Sequence, residues 1–432
     1  MSDSGGAVSR LDKPQAPADP PLRKNVNFQL LWAGSVPAFL GREIVGLVYP
    51  LVVLAITGSP GWAGAFGGVQ IFASLVCGMP AGALADRYDQ RRLLLLVETV
   101  RSLATSSVAA AYFLHELTLI HLLLVAVVLG AVQPVGGSTR MLLVRSLVPG
   151  RQLTAALTQE EVRSEAAAMA GPPLGGFLYA VAGGLPFLVA AGGFAVAAGC
   201  TFFVRPPART AGAEAAGGAR RPPRDELPLL RRMLVGLHVL WSRPLLRSGM
   251  LFGAAMNTVG APIILVVVVQ LRDQGVGSGT LGLATIGMGV GGLAGALLVK
   301  PLHRMLAPGV LLLSVGAVEA VLIALLALGR GPWWVAGLLF LMGLNGPSVR
   351  VLVDILIFRQ VPDEQRGRAV AACMTVFGAG SSLGVLVGGQ LLQHLSPATA
   401  VLVLAACETV AVGIGLGARS LRKAVWPEDM HV

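Results

Sequence analysis

The sequence predicts an all-α membrane protein, with twelve transmembrane helices in two pseudo-symmetric six-helix bundles. Three observations carry that expectation. Hydrophobic residues make up 54% of the chain and charged ones only 13%, too little charge to cover a surface that faces water on all sides. Scanning for apolar runs gives about twelve stretches that meet the roughly twenty residues a helix needs to cross hydrocarbon. Finally, the second half of the chain echoes the first at a constant spacing of 213 residues: GALADRYDQRR, starting at Gly82, returns as GALLVKPLHR at Gly295. The same spacing aligns Gly130 with Gly343, Pro134 with Pro347, Val148-Pro149 with Val361-Pro362, and Gly171, Gly175 and Gly176 with Gly384, Gly388 and Gly389. A gap-free register through five separate places marks an internal repeat.

Residues 1–27 contain Pro14, Pro17, Pro20 and Pro21 and little apolar content. They lack the apolar stretch of a signal peptide and are expected to form a disordered cytoplasmic tail. The first six runs follow at approximately 28–56, 62–85, 92–113, 118–144, 153–182 and 185–204, and together form an N-terminal bundle, 28–204. Arg205 to Arg224 is rich in Ala, Gly, Pro and Arg, the composition of a mobile linker. Within the same connection, 205–245, Leu230, Met233, Leu234, Leu237 and Leu240 recur at helical spacing beside Arg231 and Arg232. They mark either a short amphipathic helix on the inner membrane surface or the lead-in to the seventh span. The remaining runs, at 246–271, 278–302, 307–328, 332–357, 366–394 and 396–419, form a C-terminal bundle, 246–419, before a tail of 420–432. Breaks as short as GRGP at Gly329 and HLSP at His394 force antiparallel neighbours.

Arginine and lysine set the orientation. Alternate loops are basic, with Arg87, Arg91 and Arg92, then Arg145 and Arg151, the linker, Lys300 and Arg304, Arg366 and Arg368, and the C-terminal tail, whereas the other set shows little beyond Arg272 and Arg330. Cationic loops stay in the cytoplasm. Both termini are therefore expected there, in a multi-pass protein of a bacterial inner (plasma) membrane. The net charge of +11 lies in loops and tails, which suits anionic lipid headgroups and not nucleic acid. The cysteines Cys77, Cys200, Cys373 and Cys407 fall inside apolar runs without ligand spacing and read as small hydrophobes. His121, His238 and His394 have no companion at metal-ligand spacing, and the chain shows no phosphate-binding GxxxxGK[ST] loop and no nucleophile elbow. No enzyme, metal or cofactor is expected, and the protein reads as a monomer.

Two motifs stand out. Gly82, Leu84, Asp86, Arg87, Arg91 and Arg92 form a charged loop between the second and third spans, and in the second copy Val299 replaces Asp86. The arginines alone satisfy the positive-inside rule as a stop signal, but that leaves Asp86 and Gly82 unexplained. In the fifth span, AGPPLGGFL places Gly171, Pro172, Gly175 and Gly176 together, and Val385 stands in the second copy where Pro172 stands in the first. Small residues four apart permit tight helix packing, and a proline permits a bend.

With twelve spans and the repeat around it, this loop resembles the signature of the major facilitator superfamily, and the likeness covers Asn27 to Ser420. The resemblance implies parallel repeats that share one site, and a gate: Asp86 approaches the N-terminal end of the eleventh helix, near Arg366 to Ala369, and an arginine of the fourth span, here Arg140. A carboxylate at a helix N-terminus gains about 0.3–1 kcal/mol. The glycine-proline motif is similar to the antiporter signature of that superfamily, which implies a flexible seal; tight packing alone is the plain alternative. NFQLLWAG in the first span and LVPGRQL before the fifth point to the exporter branch that includes enterobactin exporters and macrolide-efflux-like proteins. The chain departs from that branch at Gly41-Arg42-Glu43, where a Gly-Asp pair is usual, so no coupling role carries over to this point.

Ionisable groups inside spans cost about 2.5–3.5 kcal/mol each on insertion scales and mark functional candidates. Arg42 and Glu43 sit about fourteen residues into the first span, close to mid-bilayer. Glu161, Glu165, Pro172 and Gly176 fall within a narrow arc at 3.6 residues per turn, which places two carboxylates on the face of the expected seal. Glu98 with Arg101 and Arg350 with Asp354 have the spacing of local ion pairs, while Glu319 and Glu408 are lone acids in apolar spans, serving a coupling site or lining a wet cavity. The expected function is a secondary active exporter of a small amphipathic molecule of the antibiotic, drug or siderophore class. It works by alternating access in exchange for protons, with Arg42, Glu43, Glu161 and Glu165 as candidates for cavity charge and proton coupling. A proton-linked importer, or a non-transporting receptor or assembly factor on the same fold, are the alternatives.

Overall fold

The computed structural model describes residues 22–205, 229–422 and 424. Its long helices are α1 (Val26–Thr57), α2 (Pro60–Arg87), α3 (Gln90–Phe113), α4 (Leu119–Leu147), α5 (Leu153–Val181) and α6 (Leu185–Phe203) in the first half. The second half holds α7 (Leu229–Trp241), α8 (Pro244–Gly260), α9 (Ile263–Asp273), α10 (Ser278–Met305), α11 (Pro308–Leu326), α12 (Pro332–Gln360), α13 (Asp363–His394), α14 (Pro397–Gly417) and the single turn α15 (Arg419–Arg422). Among the described residues, eleven stretches are long and apolar enough to cross a membrane. α5 is not one of them, because Glu160, Glu161, Arg163 and Glu165 crowd its first half, yet it has 29 residues and packs between α1 and α10 in the place of the fifth span.

Polar caps set the starts of several of these helices. The Phe28 N–H donates to the Asn25 side chain at 3.1 Å and the Arg92 N–H to that of Asp89 at 2.8 Å, while Ser59 and Thr118 cap α2 and α4. α1 stops at Gly58, whose φ of 64° is the left-handed conformation that glycine adopts without strain. The first turn of order comes earlier than the tail boundary at residue 27: Leu22–Lys24 form a 3-10 turn, with Leu22 buried among Phe28, Leu31 and Leu147. Apolar burial holds that turn down. Residues 1–21 and 206–228 lie outside the described part, and so does nearly all of the C-terminal tail beyond α15. The seventh span, expected to be continuous, is divided into α8 and α9 at Ala261-Pro262, because Pro262 has no N–H for the carbonyl four residues earlier.

The repeat is visible in the packing. The halves meet along α2 with α13 and along α5 with α10. Displacing α2 and α5 by 213 residues gives 273–300 and 366–394, which are α10 and α13, so the two seams exchange under a pseudo-twofold. Both are built from glycine. A Cβ on Gly64 would lie 2.7 Å from the Gly389 Cα, and one on Gly282 would lie 2.5 Å from the Pro172 carbonyl oxygen. The Ser382 hydroxyl donates to the Gly68 carbonyl at 2.8 Å, and Ser59 is hydrogen-bonded to Gln393. Without side chains between them, backbones approach closely and gain dispersion contacts that lipid tails cannot match.

The apolar core is continuous at one end and divided at the other. Around the α1–α2 turn, Val52, Val53 and Phe66 of the first half belong to the same buried cluster as Ile263, Val266 and Leu281 of the second. Toward the end that carries the arginine loops, Phe28, Leu94 and Leu143 form one cluster, and Leu240, Leu352 and Ala369 form a separate one. The two bundles are therefore joined at the α1–α2 end and part toward the other.

Candidate functional site

Between α1, α3, α4 and α5 lies a cleft of about 310 Å³, lined by Phe39, Arg42, Arg101, Gln133, Arg140 and Glu161 among others. Its walls are charged because each of the four helices brings an ionisable residue to it, and Glu98 and Arg140, on α3 and α4, sit at matched depths. α3 starts at the arginine-loop end and α4 returns to it; Glu98 is eight residues after Gln90 and Arg140 seven before Leu147. At a rise of about 1.5 Å per residue, both lie roughly 10–12 Å from that end. Arg140 Nη2 donates to Glu98 Oε1 at 2.9 Å, and Arg101 Nη1 approaches the same oxygen at 3.3 Å while its Nη2 donates to Gln133 at 2.9 Å. Glu98 is fully buried, and the Arg140 and Arg101 side chains are 10% and 12% exposed. One carboxylate thus holds two guanidinium groups, and one positive charge of the triad is left over.

Two further pairs each bring one member, Arg42 and Glu160, to the wall. Arg42 contacts its neighbour Glu43 at 2.6 Å. Arg163, on α5, meets Glu160 at 2.5 Å and reaches across to α1, donating to the Trp32 carbonyl at 2.8 Å and to Ser35. The Phe39 ring stands among three of these cations, with the guanidinium carbons of Arg140, Arg42 and Arg163 at 4.9, 5.6 and 5.9 Å from its centroid. An aromatic face attracts a cation by roughly 0.5–2 kcal/mol, so Phe39 gathers charges that would otherwise repel. The wall thus sets an aromatic face beside polar and charged groups.

The glycine-proline motif does two jobs on two faces of α5. Gly171 and Gly175 lie against α1: a Cβ on Gly175 would come within 2.7 Å of the Ile44 carbonyl oxygen, and one on Gly171 would strike Glu43. Pro172 and Gly176 face the other half, against Gly282 and Ser278 of α10. The motif therefore seats the helix segment that bears Arg42 and Glu43 and also forms a seam between bundles. Glu161 lies exposed in the cleft wall, and Glu165, half-buried, is one turn before Met169, which touches Gly289 of α10.

The charged loop differs from expectation. Arg140 is paired with Glu98 and not with Asp86. Asp86 and Arg87 are exposed at the divided end, and Asp86 has no hydrogen bond or ion pair among the described residues. A Cβ on Gly82 would meet nothing within 4 Å, so the close helix approach expected there is absent: the bundles have parted at this level. Arg91 is bound to the carbonyls of Thr201 and Phe202 at the C-terminal end of α6, where a cation satisfies orphan carbonyl groups and the helix dipole. Arg350 and Asp354, expected to pair, form no ion pair among the described residues. Because the Asp86 side chain is exposed and has no polar partner among the described residues in this state, Asp86→Asn is expected to leave the thermal unfolding midpoint of the purified protein unchanged; a clear loss would mean that the loop is bound here after all. Residue patterns had indicated Glu98 with Arg101, but missed Phe39, Gln133 and the Arg140–Glu98 bond. The matched depths of Glu98 and Arg140 were the available signal.

The sequence model of the Major Facilitator Superfamily matches residues 31–349. The chain belongs to that superfamily. Curated relatives include the enterobactin exporter EntS of Citrobacter koseri, 24% identical over 385 residues that cover 87% of this chain and 88% of that protein. Another is the multidrug efflux pump Tap of Mycolicibacterium fortuitum, 22% identical over 374 residues that cover 84% of this chain and 88% of the pump. Among solved structures, a bacterial homologue of the human lysosomal transporter Spinster, in an inward-facing and occupied conformation, superposes with a TM-score of 0.70 at 15% identity, covering 95% of this chain and 100% of that one. The nucleoside transporter NupG superposes with a TM-score of 0.67 at 14% identity, covering 92% of this chain and 99% of that one. A multi-pass transport protein of the membrane is the common ground of family, relatives and fold.

Proposed function

We propose that this member of the superfamily is a secondary active exporter that releases a small amphipathic molecule, of the antibiotic, drug or siderophore class, in exchange for protons. The observation that carries the reading is the apolar core, shared by both bundles at one end and divided at the other. A molecule enters from the divided end, which the positive-inside rule assigns to the cytoplasm together with both termini. It settles against Phe39 and the charged wall, and the bundles then rock about the α2–α13 and α5–α10 seams. In the closing state Asp86 returns to the tip of α13, and the α5 motif bends as the opposite mouth opens. Two sites on one rocking fold are coupled only through such a two-state change. Glu43, Glu161 and Glu165 are the N-terminal candidates for the proton exchanged, and the named exporters among the relatives favour outward transport.

Everted vesicles of a host without its own pumps test this directly. Candidate compounds are expected to accumulate only when the lumen is more acidic than the medium, and a protonophore is expected to abolish accumulation. Glu165→Gln is expected to reduce the gradient-driven rate at least tenfold. Uptake indifferent to the gradient and to this substitution removes the proton assignment, and accumulation only in right-side-out vesicles shows an importer.

A further inference from the structure

The N-terminal half compensates its buried carboxylates with arginine, and the C-terminal half does not. Displaced by 213 residues, Glu98, Arg101, Arg140 and Arg163 fall on Leu311, Ser314, Val353 and Val376. In the reverse direction Glu319 and Glu408 correspond to Ser106 and Ala195. The two acids are thus an addition peculiar to the second bundle. Glu408, midway along α14, is fully buried, and neither carboxylate oxygen has a hydrogen-bond partner among the described residues. Glu319 is half-buried on α11, and α11 packs directly on α14. A Cβ on Gly260 would lie 3.6 Å from Glu319 Oε1, which puts Glu319 beside the break between α8 and α9. Broken helices at mid-membrane are where transporters of this kind place their ions.

The other helices packed on α14 bring no counter-charge to this level. Arg247 on α8 and Arg366 and Arg368 on α13 lie in the first two turns of their helices; Arg272 and Asp273 on α9 and His394 on α13 lie in the last; and Arg419 and Arg422 belong to the terminal turn α15. An uncompensated carboxylate in a dry, apolar site is costly, so a bound cation must stand in for the missing arginine. A hard metal ion takes six or more oxygen ligands, whereas the Glu408 oxygens lack even one partner. A proton needs only one oxygen.

We propose that Glu408 and Glu319 form a proton-binding site inside the C-terminal bundle, apart from the arginine-lined cleft, with Glu319 passing the proton between the helix break and Glu408. Binding of the proton does not depend on the transport reading above; its use in exchange rests on that reading. The test is infrared difference spectroscopy of the purified full-length protein at neutral pH. Wild type is expected to show a protonated-carboxyl stretching band that Glu408→Gln removes and Glu116→Gln, in the exposed α3–α4 loop, leaves in place. The neutral isostere is expected to keep the thermal midpoint of wild type, since it replaces a neutral acid. In liposomes, Glu408→Gln is expected to retain substrate counterflow without a gradient and to lose at least tenfold of pH-driven transport. A band unchanged by Glu408→Gln overturns the site, as does failure of both Glu408→Gln and Glu319→Gln to fold. Binding of radioactive sodium that displaces the band overturns the proton in favour of a metal cation. Intact counterflow and an intact band without any gradient dependence leave the proton bound but overturn its use in exchange.

Discussion

Glu98→Gln is expected to be among the most destabilising single substitutions in the N-terminal bundle. Glu98 is fully buried, and its Oε1 faces Arg140 at 2.9 Å and Arg101 at 3.3 Å. Replacing the carboxylate with a neutral amide leaves two guanidinium groups, each about nine-tenths buried, with no anion between them. Breaking a buried ion pair by removing one partner costs about 3–5 kcal/mol, because the charge left behind stays out of water. Repulsion between the two arginines adds to this. A fall of several degrees in the thermal midpoint in detergent is expected. The decisive comparison is the double substitution Glu98→Gln with Arg140→Met, which removes one stranded cation and is expected to recover part of the loss. Arg140→Met alone is expected to be milder, since Glu98 keeps Arg101. If Glu98→Gln matches wild type and the double variant is no better than the single, the triad does not hold the cleft wall together.

How far the sequence revealed this arrangement depended on the range of each interaction. The repeat was legible because glycine and proline recur at fixed backbone positions, and the seams they form follow: Gly176 on Ser278 and Gly64 on Gly389 are contacts that only small residues permit. Local spacing indicated the pair of Glu98 with Arg101, but it also indicated Arg350 with Asp354, which form no ion pair among the described residues: spacing brings two groups within reach without fixing where each side chain turns. Arg140 was misassigned because its partner lies 42 residues away on a neighbouring helix, and two candidate acids, Asp86 and Glu98, were available to it. Depth separates them, since Asp86 is one residue from the end of α2 whereas Glu98 is eight residues inside α3. The α8–α9 break followed from Pro262, but the other spans carry prolines without breaking: α1 runs through Pro37 and Pro50, and α5 through Pro172 and Pro173. A lost hydrogen bond in a packed membrane helix is absorbed by bending and by neighbouring groups, so a proline alone does not tell which span divides. Phe39 left no trace in the pattern, because one phenylalanine in an apolar run looks like any other core residue.

Gly176→Ala tests the second seam and carries the larger functional effect. The added methyl group would meet the Ser278 carbonyl and the Gly282 Cα, at 3.3 Å, on α10. The obstacle is backbone, not the tip of a flexible side chain, so α5 and α10 have to separate. Overpacking of this kind costs about 1–3 kcal/mol. The cost falls on this state alone, because the contact joins the two bundles and is released when they part at this end. Each 1.4 kcal/mol is a factor of about ten in an equilibrium constant, so the population shifts by roughly 5- to 150-fold toward the opposite-facing state. Spin-label distances across the α5–α10 seam are expected to lengthen, and turnover to fall at least tenfold as return to this state becomes rare. The unfolding midpoint is expected to move far less, since each bundle keeps its own core. Gly192→Ala is the control: it lies exposed on α6 with nothing within 4 Å of its Cβ position, and is expected to transport as wild type does. Gly282→Ala, which meets the Pro172 carbonyl at 2.5 Å from across the same seam, is expected to repeat the Gly176→Ala result, and the double variant to add little once the seam is open. Equal distances and equal turnover in Gly176→Ala and Gly192→Ala would show that the seam does not open, and that the bundles do not rock about it.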